Sequence, residues 1–589
     1  MRQHHVPGVL AVTYRDGGSP PDLTAMLAAE GLQASITQTR DVVVASWDLT
    51  EPTLSAGRPL LLSGTNWGDD GAITAAEVGR WLEESDLPRL GSLLPPFGAL
   101  GQVPEGVRAV ADSMGFRQLF RSGGDGWAAV STSARLLARL GDTGIDDQAV
   151  LLQSQLGWQL GQRTFFRGVT KLAPGESILL AGGRSQAEHA PEPDPEAGSV
   201  PLAEGVRQAA ALLRTFLEQY LDEVDASTLQ LTGGQDSRLL LSAIPPARRK
   251  GLKVMTLDAP GTRDAEVAAA LAARYRMTHT VRSMSGLGEL GPQEWFARVW
   301  RQASIHDCMA DPIARAATAW AEESFEQGHR LSGLGGELGR GFFYTGWVRP
   351  RPITRSRSER LARWRMFANE PVEPAALAVA HRERALPLAL DLADAALSEG
   401  GPEWYRATDE LYYRHRMQRW AGLGESVVCF ERTLTNPMLD HRFRAIVRAL
   451  APHDKQNSRF LGQLQVALDD ELARIPLDDR PPPSVYARPG PVGFLRQRAT
   501  KLGKLTRKVR QRLEGSRRPP PGGAVVANRV TEYLTERPEL LDPVRGFGLF
   551  DEEWLDGVTR GTVRPAPSSL ALLVNAAVAA DPGGGREIP

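Results

Sequence analysis

The sequence predicts an α/β protein of two folded units, each mixing strand and helix, followed by a helical extension. Three observations lead there. Residues 227–283 alternate strand-like and helix-like runs, the pattern of a parallel sheet with crossover helices. The first 190 residues hold short β-branched and apolar runs. Beyond Pro312, helical periodicity dominates.

Composition narrows the function classes. The 589 residues are material for about three domains. Hydrophobic residues at 42% and charged residues at 24% are ordinary globular proportions. A formal net charge of -1 excludes a globally basic nucleic-acid binder, and no specific nucleic acid is expected as a partner. Two cysteines, Cys308 and Cys429, cannot build a disulfide framework or a four-thiolate zinc site. The longest apolar candidate, Leu570–Ala580, is interrupted by Asn575 and falls short of the ~20 residues of a membrane span. The opening MRQHHVPGVLAV has too short an apolar run for a signal peptide, so a cytoplasmic location is expected.

In chain order, Val42–Trp47, Pro59–Ser63, the GWAAVST run and Glu176–Ala181 read as strands. His189–Pro201 holds four prolines among acidic and small residues and reads as a linker. Ser227–Leu231 reads as a strand that runs into TGGQDS and the helical RLLLSA. Lys253–Ala259 is the next strand, Arg263–Tyr275 an alanine-rich helix, and THTVRS a third strand. Proline-rich breaks at Pro481–Pro491 and Arg517–Gly523 end the central unit. The expected units are therefore 1–190, 200–480 and 481–589.

The sharpest chemical signal is Leu231-Thr232-Gly233-Gly234-Gln235-Asp236-Ser237-Arg238. Two glycines directly after a strand let bare N–H groups approach an anion. The helix that follows adds free N–H groups and a positive dipole end. The hydroxyls of Thr232 and Ser237 can donate to phosphate oxygens. Asp236 would repel a phosphate, so a bridging Mg²⁺ is its natural partner. A structural Gly-Gly turn capped by Asp and Ser is the alternative. No GK[ST] follows, so this is not a Walker loop.

The loop resembles the SGGxDS pyrophosphate loop of the ATP pyrophosphatase superfamily, as in asparagine synthetases, β-lactam synthetases and lasso-peptide cyclases. Ser332–Phe343, SGLGGELGRGFF, resembles the SGEGADELFGGY block of asparagine synthetases. That resemblance implies a second anion-facing loop from Gly333, Gly335 and Gly336, with Ser332 also at the nucleotide and Glu337 at the second magnesium-binding position. Leu334 departs from the family, which carries a proton-handling Glu or Tyr there. NPMLDHRF, Asn436–Phe443, resembles the PFLDHRL block, and GTRDAE, Gly261–Glu266, resembles the loop near adenine and ribose. By the same resemblance, backbone groups near Leu231 and Leu257 would read the adenine. ADSMGFRQLF, Ala111–Phe120, and FRGVTKLAPG, Phe165–Pro174, resemble parts of the glutaminase domain. The implied architecture is an Ntn-hydrolase-like α/β/β/α sandwich followed by a Rossmann-like parallel sheet of the ATP pyrophosphatase type with many helices.

The glutaminases of this family use an N-terminal cysteine, whereas residue 2 here is Arg and the first cysteine is Cys308. A degenerate glutaminase domain is the expectation, and with it an amine carried by the substrate. Amide formation from an adenylate needs a cation near the reacting carbonyl and a base for the incoming ammonium. Lys455, the sole lysine between residues 254 and 500, and Arg459, which fits the family spacing slightly better, are the candidate cations. Glu431 is the first candidate base, ahead of Glu425. His306, Asp307 and Cys308 lack zinc-ligand spacing and read as structural.

Residues 496–518 carry ten basic side chains against one acid, with an apolar stripe at helical spacing. Segment 492–518 thus suggests peripheral contact with an anionic membrane surface, or a solvated surface helix. The sequence expectation is an ATP- and Mg²⁺-dependent ligase that adenylates a carboxylate for attack by an amine. Macrolactam formation in a lasso-type peptide is favoured, with a precursor peptide and a leader protease as partners. An ammonia-dependent asparagine synthetase homologue acting on small substrates, and a nucleotide-binding scaffold pseudoenzyme, are the alternatives.

Overall fold

The computed structural model describes residues 5–15, 18, 22–64, 66–190, 192, 194–258, 262–344, 347–478, 480–487 and 522–581. The chain is mixed α/β, with antiparallel sheets first and a parallel sheet later.

Thirteen strands precede residue 190 among the described residues: β1 (Gly8–Tyr14), β2 (Ser35–Thr39), β3 (Val42–Trp47), β4 (Leu60–Leu61), β5 (Trp67–Gly68), β6 (Gly71–Ala72), β7 (Gly98–Val103), β8 (Gly106–Ala111), β9 (Phe120–Gly124), β10 (Trp127–Ser131), β11 (Thr170–Lys171), β12 (Glu176–Ala181) and β13 (Arg184–His189). One sheet runs β11-β9-β10-β1-β3-β2 and a second β13-β12-β8-β7-β4, while β5 and β6 form a separate ribbon. Strand periodicity sorts the faces. Val9 and Ala11 of β1 share a core with Val107, Ile178 and Leu180 of the second sheet. Leu10 and Val12 turn the other way, to Leu23, Leu27, Leu136 and Leu137 on helices Leu23–Ala29 and Ala134–Leu140. Ala99 and Val110 on the far side of the second sheet meet Val78 and Leu82 of helix Ala75–Glu83. The layers are therefore helix, sheet, sheet, helix. Val42–Trp47 and Glu176–Ala181 are strands as read from the sequence, whereas Pro59–Ser63 shrinks to Leu60–Leu61.

Asp112 explains the ADSMGFRQLF motif. Its carboxylate accepts from the backbone N–H groups of Phe97, Met114, Phe116 and Arg117, which ties a buried turn to the end of β8. The proline-rich stretch that follows the sandwich is held down by charge. Glu192 lies 3.1 Å from Arg444, and Asp194 lies 2.6 Å from Arg406 and 2.9 Å from Arg448.

Helix Leu202–Glu223 leads into β14 (Ser227–Gln230), β15 (Lys253–Asp258) and β16 (Thr278–Ser283); β17 (His329–Leu331) and β18 (Thr433–Thr435) complete a parallel sheet ordered β16-β15-β14-β17-β18. The chain moves outward from β14 through β15 to β16, then returns to the other side of β14 to lay down β17 and β18. The crevice beyond the ends of β14 and β17 is thus a topological switch point, where open α/β sheets bind ligands. Helices Gln235–Ala243 and Asp264–Tyr275 cover the sheet with Leu239, Leu240, Leu271 and Ala272. Trp67, Phe116, Leu152 and Trp158 of the sandwich join that same core.

The described part of the C-terminal extension is packed into the body. Helices Gly523–Glu536, Glu552–Thr559 and Pro567–Ala580 share a core with Trp295, Phe296 and Val299 of helix Pro292–Ile305 and Ile313 of helix Pro312–Glu322. Nearly every side chain from Ser569 to Val578 is buried, which accounts for an apolar run interrupted by Asn575. The Asn575 amide donates to the Ala310 carbonyl at 2.8 Å. Among the described residues no helix is long and apolar enough to cross a membrane. Segment 492–518 lies outside the described residues.

Candidate functional site

Two glycine-rich loops leave adjacent strands at the switch point. The first, Leu231–Gly234, follows β14 and opens helix Gln235–Ala243, which has no side-chain cap at Gly234. The second, Ser332–Arg340, follows β17 and ends in a short 3₁₀ turn, Gly336–Arg340. They are pressed together. A Cβ on Gly333 would lie 2.5 Å from the Ser237 nitrogen, and one on Gly336 would lie 2.5 Å from Asp236 Oδ1. Glycine at these positions lets one backbone rest on the other and encloses the Asp236 carboxylate.

Asp236 and Glu337 face one another across this contact. Arg340 Nη2 lies 3.3 Å from Asp236 Oδ2 and 3.2 Å from Glu337 Oε1. The remaining oxygens, Asp236 Oδ1 and Glu337 Oε2, are buried with no hydrogen-bond partner. Burial and the neighbouring Asp236 charge push the Glu337 carboxyl up to about 7, against the pull of Arg340. Two unpartnered carboxylate oxygens in a closed space are the donor set that a hard divalent cation satisfies. The residues therefore fit a divalent cation such as Mg²⁺, which Asp236 and Glu337 would hold.

Two sets of hydrogen bonds hold the first loop. First, the hydroxyls of Thr232 and Ser237 brace the loop. Ser237 Oγ accepts from the Thr232 N–H at 3.1 Å, Thr232 Oγ1 accepts from the Gly234 N–H at 3.1 Å, and the two oxygens lie 3.2 Å apart. The Gly233 N–H donates to Asp264 Oδ1 at 2.8 Å, so the TRDAE stretch reaches the first glycine loop itself. Second, the Leu231 N–H donates to the Met255 carbonyl at 2.9 Å, and its carbonyl accepts the Thr256 hydroxyl at 2.7 Å. That N–H is spent inside the sheet and is unavailable to a base. Leu257 is half-buried near the end of β15, against the core that includes the C-terminal helices. Ser332 is held by its N–H to the Thr435 carbonyl at 3.0 Å, and its Oγ accepts from the Leu334 N–H at 3.3 Å. Gly335 has φ +104, a conformation open to glycine.

The candidate cations are both paired. Lys455 is 3% exposed and its ammonium contacts Asp409 Oδ2, which also accepts the Tyr344 hydroxyl at 2.7 Å. Arg459 is half-exposed and bonds Asp454 at 3.1 Å. Between them Asn457 and Ser458 both have φ +58, and this segment packs on the Gly336–Arg340 turn. Successive non-glycine residues in the left-handed region mark backbone held in place by its surroundings.

Beside Leu334 opens a cavity of about 540 Å³, lined by Gln230, Arg315, Leu334, Trp420, Glu425 and Glu431 among others. Its size is that of ligand sites in general. Glu431 sits at the rim, half-exposed, 3.5 Å from Arg301. Glu425, the second candidate base, keeps part of its surface open to the cavity while protein closes around the rest. Burial raises its carboxyl to about 7, opposed by a 3.3 Å hydrogen bond from Asn436 and by the charges of Arg432 and Arg315. Both glutamates line the cavity, and a buried carboxyl poised near neutrality is of the kind that suits proton transfer. Wide π-helical turns over Tyr412–Ala421 carry Trp420 and Ala421 to the cavity wall. His306 also lines it, but burial drives its imidazole down to about 3 and Nδ1 lies 2.8 Å from the Gln302 carbonyl.

Sequence reasoning did not single out Arg340, Asp264, Asp409 or Trp420. The spacing of Glu337 and Arg340, three apart on a turn, was a visible signal for the first. No protein-family model matches the chain, and no curated protein matches it.

Proposed function

We propose that the chain is an ATP-dependent, AMP-forming amide ligase, similar in plan to asparagine synthetases and lasso-peptide cyclases. On this reading the four-layered N-terminal unit is a degenerate Ntn-hydrolase-like glutaminase domain, and the parallel sheet is of the ATP pyrophosphatase type. One observation carries it: two glycine loops at the switch point bring Asp236 and Glu337 together, each with a buried oxygen lacking a partner. Mg²⁺ held there would supply positive charge to the phosphates of ATP.

The residues then divide the work. The uncapped first turn of helix Gln235–Ala243 offers N–H groups to the departing pyrophosphate. A substrate carboxylate attacks the α-phosphorus, forming an acyl-adenylate and releasing pyrophosphate. An amine attacks the acyl carbon, the C–O bond to AMP breaks, and an amide and AMP result. Glu425 accepts the proton that the amine loses. Leu334, at the junction of loop and cavity, has no proton to exchange and leaves that task to the cavity wall. The favoured substrate is a linear peptide closed to a macrolactam, for which a cavity of about 540 Å³ has room beyond a single amino acid.

Purified protein with ATP and Mg²⁺ should release pyrophosphate only when a substrate is added. A linear peptide should lose the mass of one water, while aspartate with ammonia should give no product. Pyrophosphate release that needs no substrate, or that survives Asp236→Ala, would rule out the assignment. Nucleotide binding with no turnover on any carboxylate would favour a scaffold role.

A further inference from the structure

Between the two carboxylates lies a third charge. Arg340 shares one nitrogen between Asp236 Oδ2 and Glu337 Oε1, at 3.3 Å and 3.2 Å, and leaves the other oxygen of each carboxylate unpartnered. The backbone around this cluster is closely packed. Gly336 lies against Asp236, Gly333 lies against the peptide joining Asp236 to Ser237, and residues 456–458 pack on the turn from outside. The guanidinium, at the end of a long side chain that is 20% exposed, is the part of the cluster that can move.

A divalent cation on the two free oxygens would sit close to this guanidinium and repel it in a partly desolvated space. A planar fork of N–H donors then needs a new anion, and the phosphate chain at the adjoining loop is of the right chemistry for it. Resting on the ligase reading, we propose that Arg340 is an exchangeable counter-ion. It holds Asp236 and Glu337 together before metal arrives, yields them to a divalent cation, and pairs with the pyrophosphate portion of the nucleotide. Metal and pyrophosphate should consequently bind as a pair, with the metal alone bound weakly.

The test uses the full chain, Mn²⁺ as the probe read by electron paramagnetic resonance, and inorganic pyrophosphate. Arg340→Gln should bind Mn²⁺ alone about tenfold more tightly than the wild type, since a repelling charge is gone. It should bind the Mn²⁺–pyrophosphate pair about tenfold more weakly. Arg340→Lys keeps the charge, so its Mn²⁺ constant should stay within about twofold while pyrophosphate binding weakens at least about threefold for lack of the fork. Should the glutamine variant fail to fold, the lysine variant decides on its pyrophosphate arm. Unchanged or weaker Mn²⁺ binding in Arg340→Gln, or unchanged pyrophosphate binding in either variant, overturns the exchange while leaving the ligase reading intact. A wild-type protein that binds neither Mn²⁺ nor its pyrophosphate complex overturns both.

Discussion

Replacing Glu425 with glutamine should stabilise the protein above neutral pH and, on the ligase reading, stop amide formation. Burial in the cavity wall, with a smaller push from the Glu322 charge, raises this carboxyl from 4.5 to about 7. An acid whose pKa is higher folded than unfolded binds more protons in the folded state between those two values. Stability therefore falls as pH climbs from 4.5 to about 7 and levels off above that. At ~1.4 kcal/mol per pH unit, the loss is capped at about 3 kcal/mol, and water in the cavity lowers it. Glutamine has nearly the same shape, can still accept from Asn436, and carries no charge to desolvate. Urea unfolding of both proteins from pH 4.5 to 8.5 should give curves that coincide at the acid end and separate by up to about 3 kcal/mol above pH 7, the variant being the more stable. Amide product should fall by roughly a hundredfold or more over the same alkaline range. A variant that is less stable at every pH, or offset by a constant amount, would refute the burial argument. Undiminished amide formation would remove Glu425 as the base.

Three further outcomes follow from the geometry. Asp236→Asn should keep the fold yet cut pyrophosphate release by about two orders of magnitude or more, measured with substrate present, because half of the cation's charge complement is lost. Gly333→Ala should lower stability by roughly 1–3 kcal/mol in denaturant unfolding, since the new methyl would meet backbone at 2.5 Å that cannot withdraw. Lys455→Gln should cost up to about 3–5 kcal/mol by leaving the partly buried Asp409 without its cation, and adding Asp409→Asn should recover most of that loss in the same assay.

What the sequence revealed of the site follows from how local each signal is. The strand, glycine pair and helix of residues 227–243 form one continuous motif, and the spacing of Gly333, Gly336 and Glu337 is equally local. β17 and β18 were not legible because each has three residues, and their extended form depends on pairing with β14 and with one another. Lys455 drew attention by its rarity, but its charge is answered by Asp409, a residue 46 positions away. Glu425 lies on helix Gly422–Val428 and Glu431 in the turn beyond it, so the difference between them turns on which side chain the fold encloses. A run such as GESVVCFER contains no local sign of either. The C-terminal helices look like an appendage in sequence because their partners, Trp295 to Ile313, lie more than 200 residues upstream.

The N-terminal sandwich has a physical connection to the proposed chemistry. The cleft at its inner edge, lined by His5, Trp47, Arg117 and Ser133, encloses about 20 Å³, space for about one water. From that same edge Arg117 spans to the cavity-bearing helix Gly422–Val428. Its Nε donates to the Leu62 carbonyl at 2.6 Å, Nη2 to the Pro7 carbonyl at 3.0 Å, and Nη1 to Ser426 Oγ at 2.9 Å. The Gln118 N–H meets the same hydroxyl at 3.0 Å. A Cβ on Gly422 would lie 2.9 Å from Phe116, so the sandwich also abuts the start of this helix. Two donors from the sandwich therefore fix the residue directly after Glu425. A carboxylate with a raised pKa keeps it only while its surroundings stay closed, because any loosening admits water and returns the group toward its ordinary value. A rigid antiparallel sandwich that grips the helix next to that group supplies the closure. On the ligase reading, the N-terminal unit would act on the proposed chemistry through the position of Glu425.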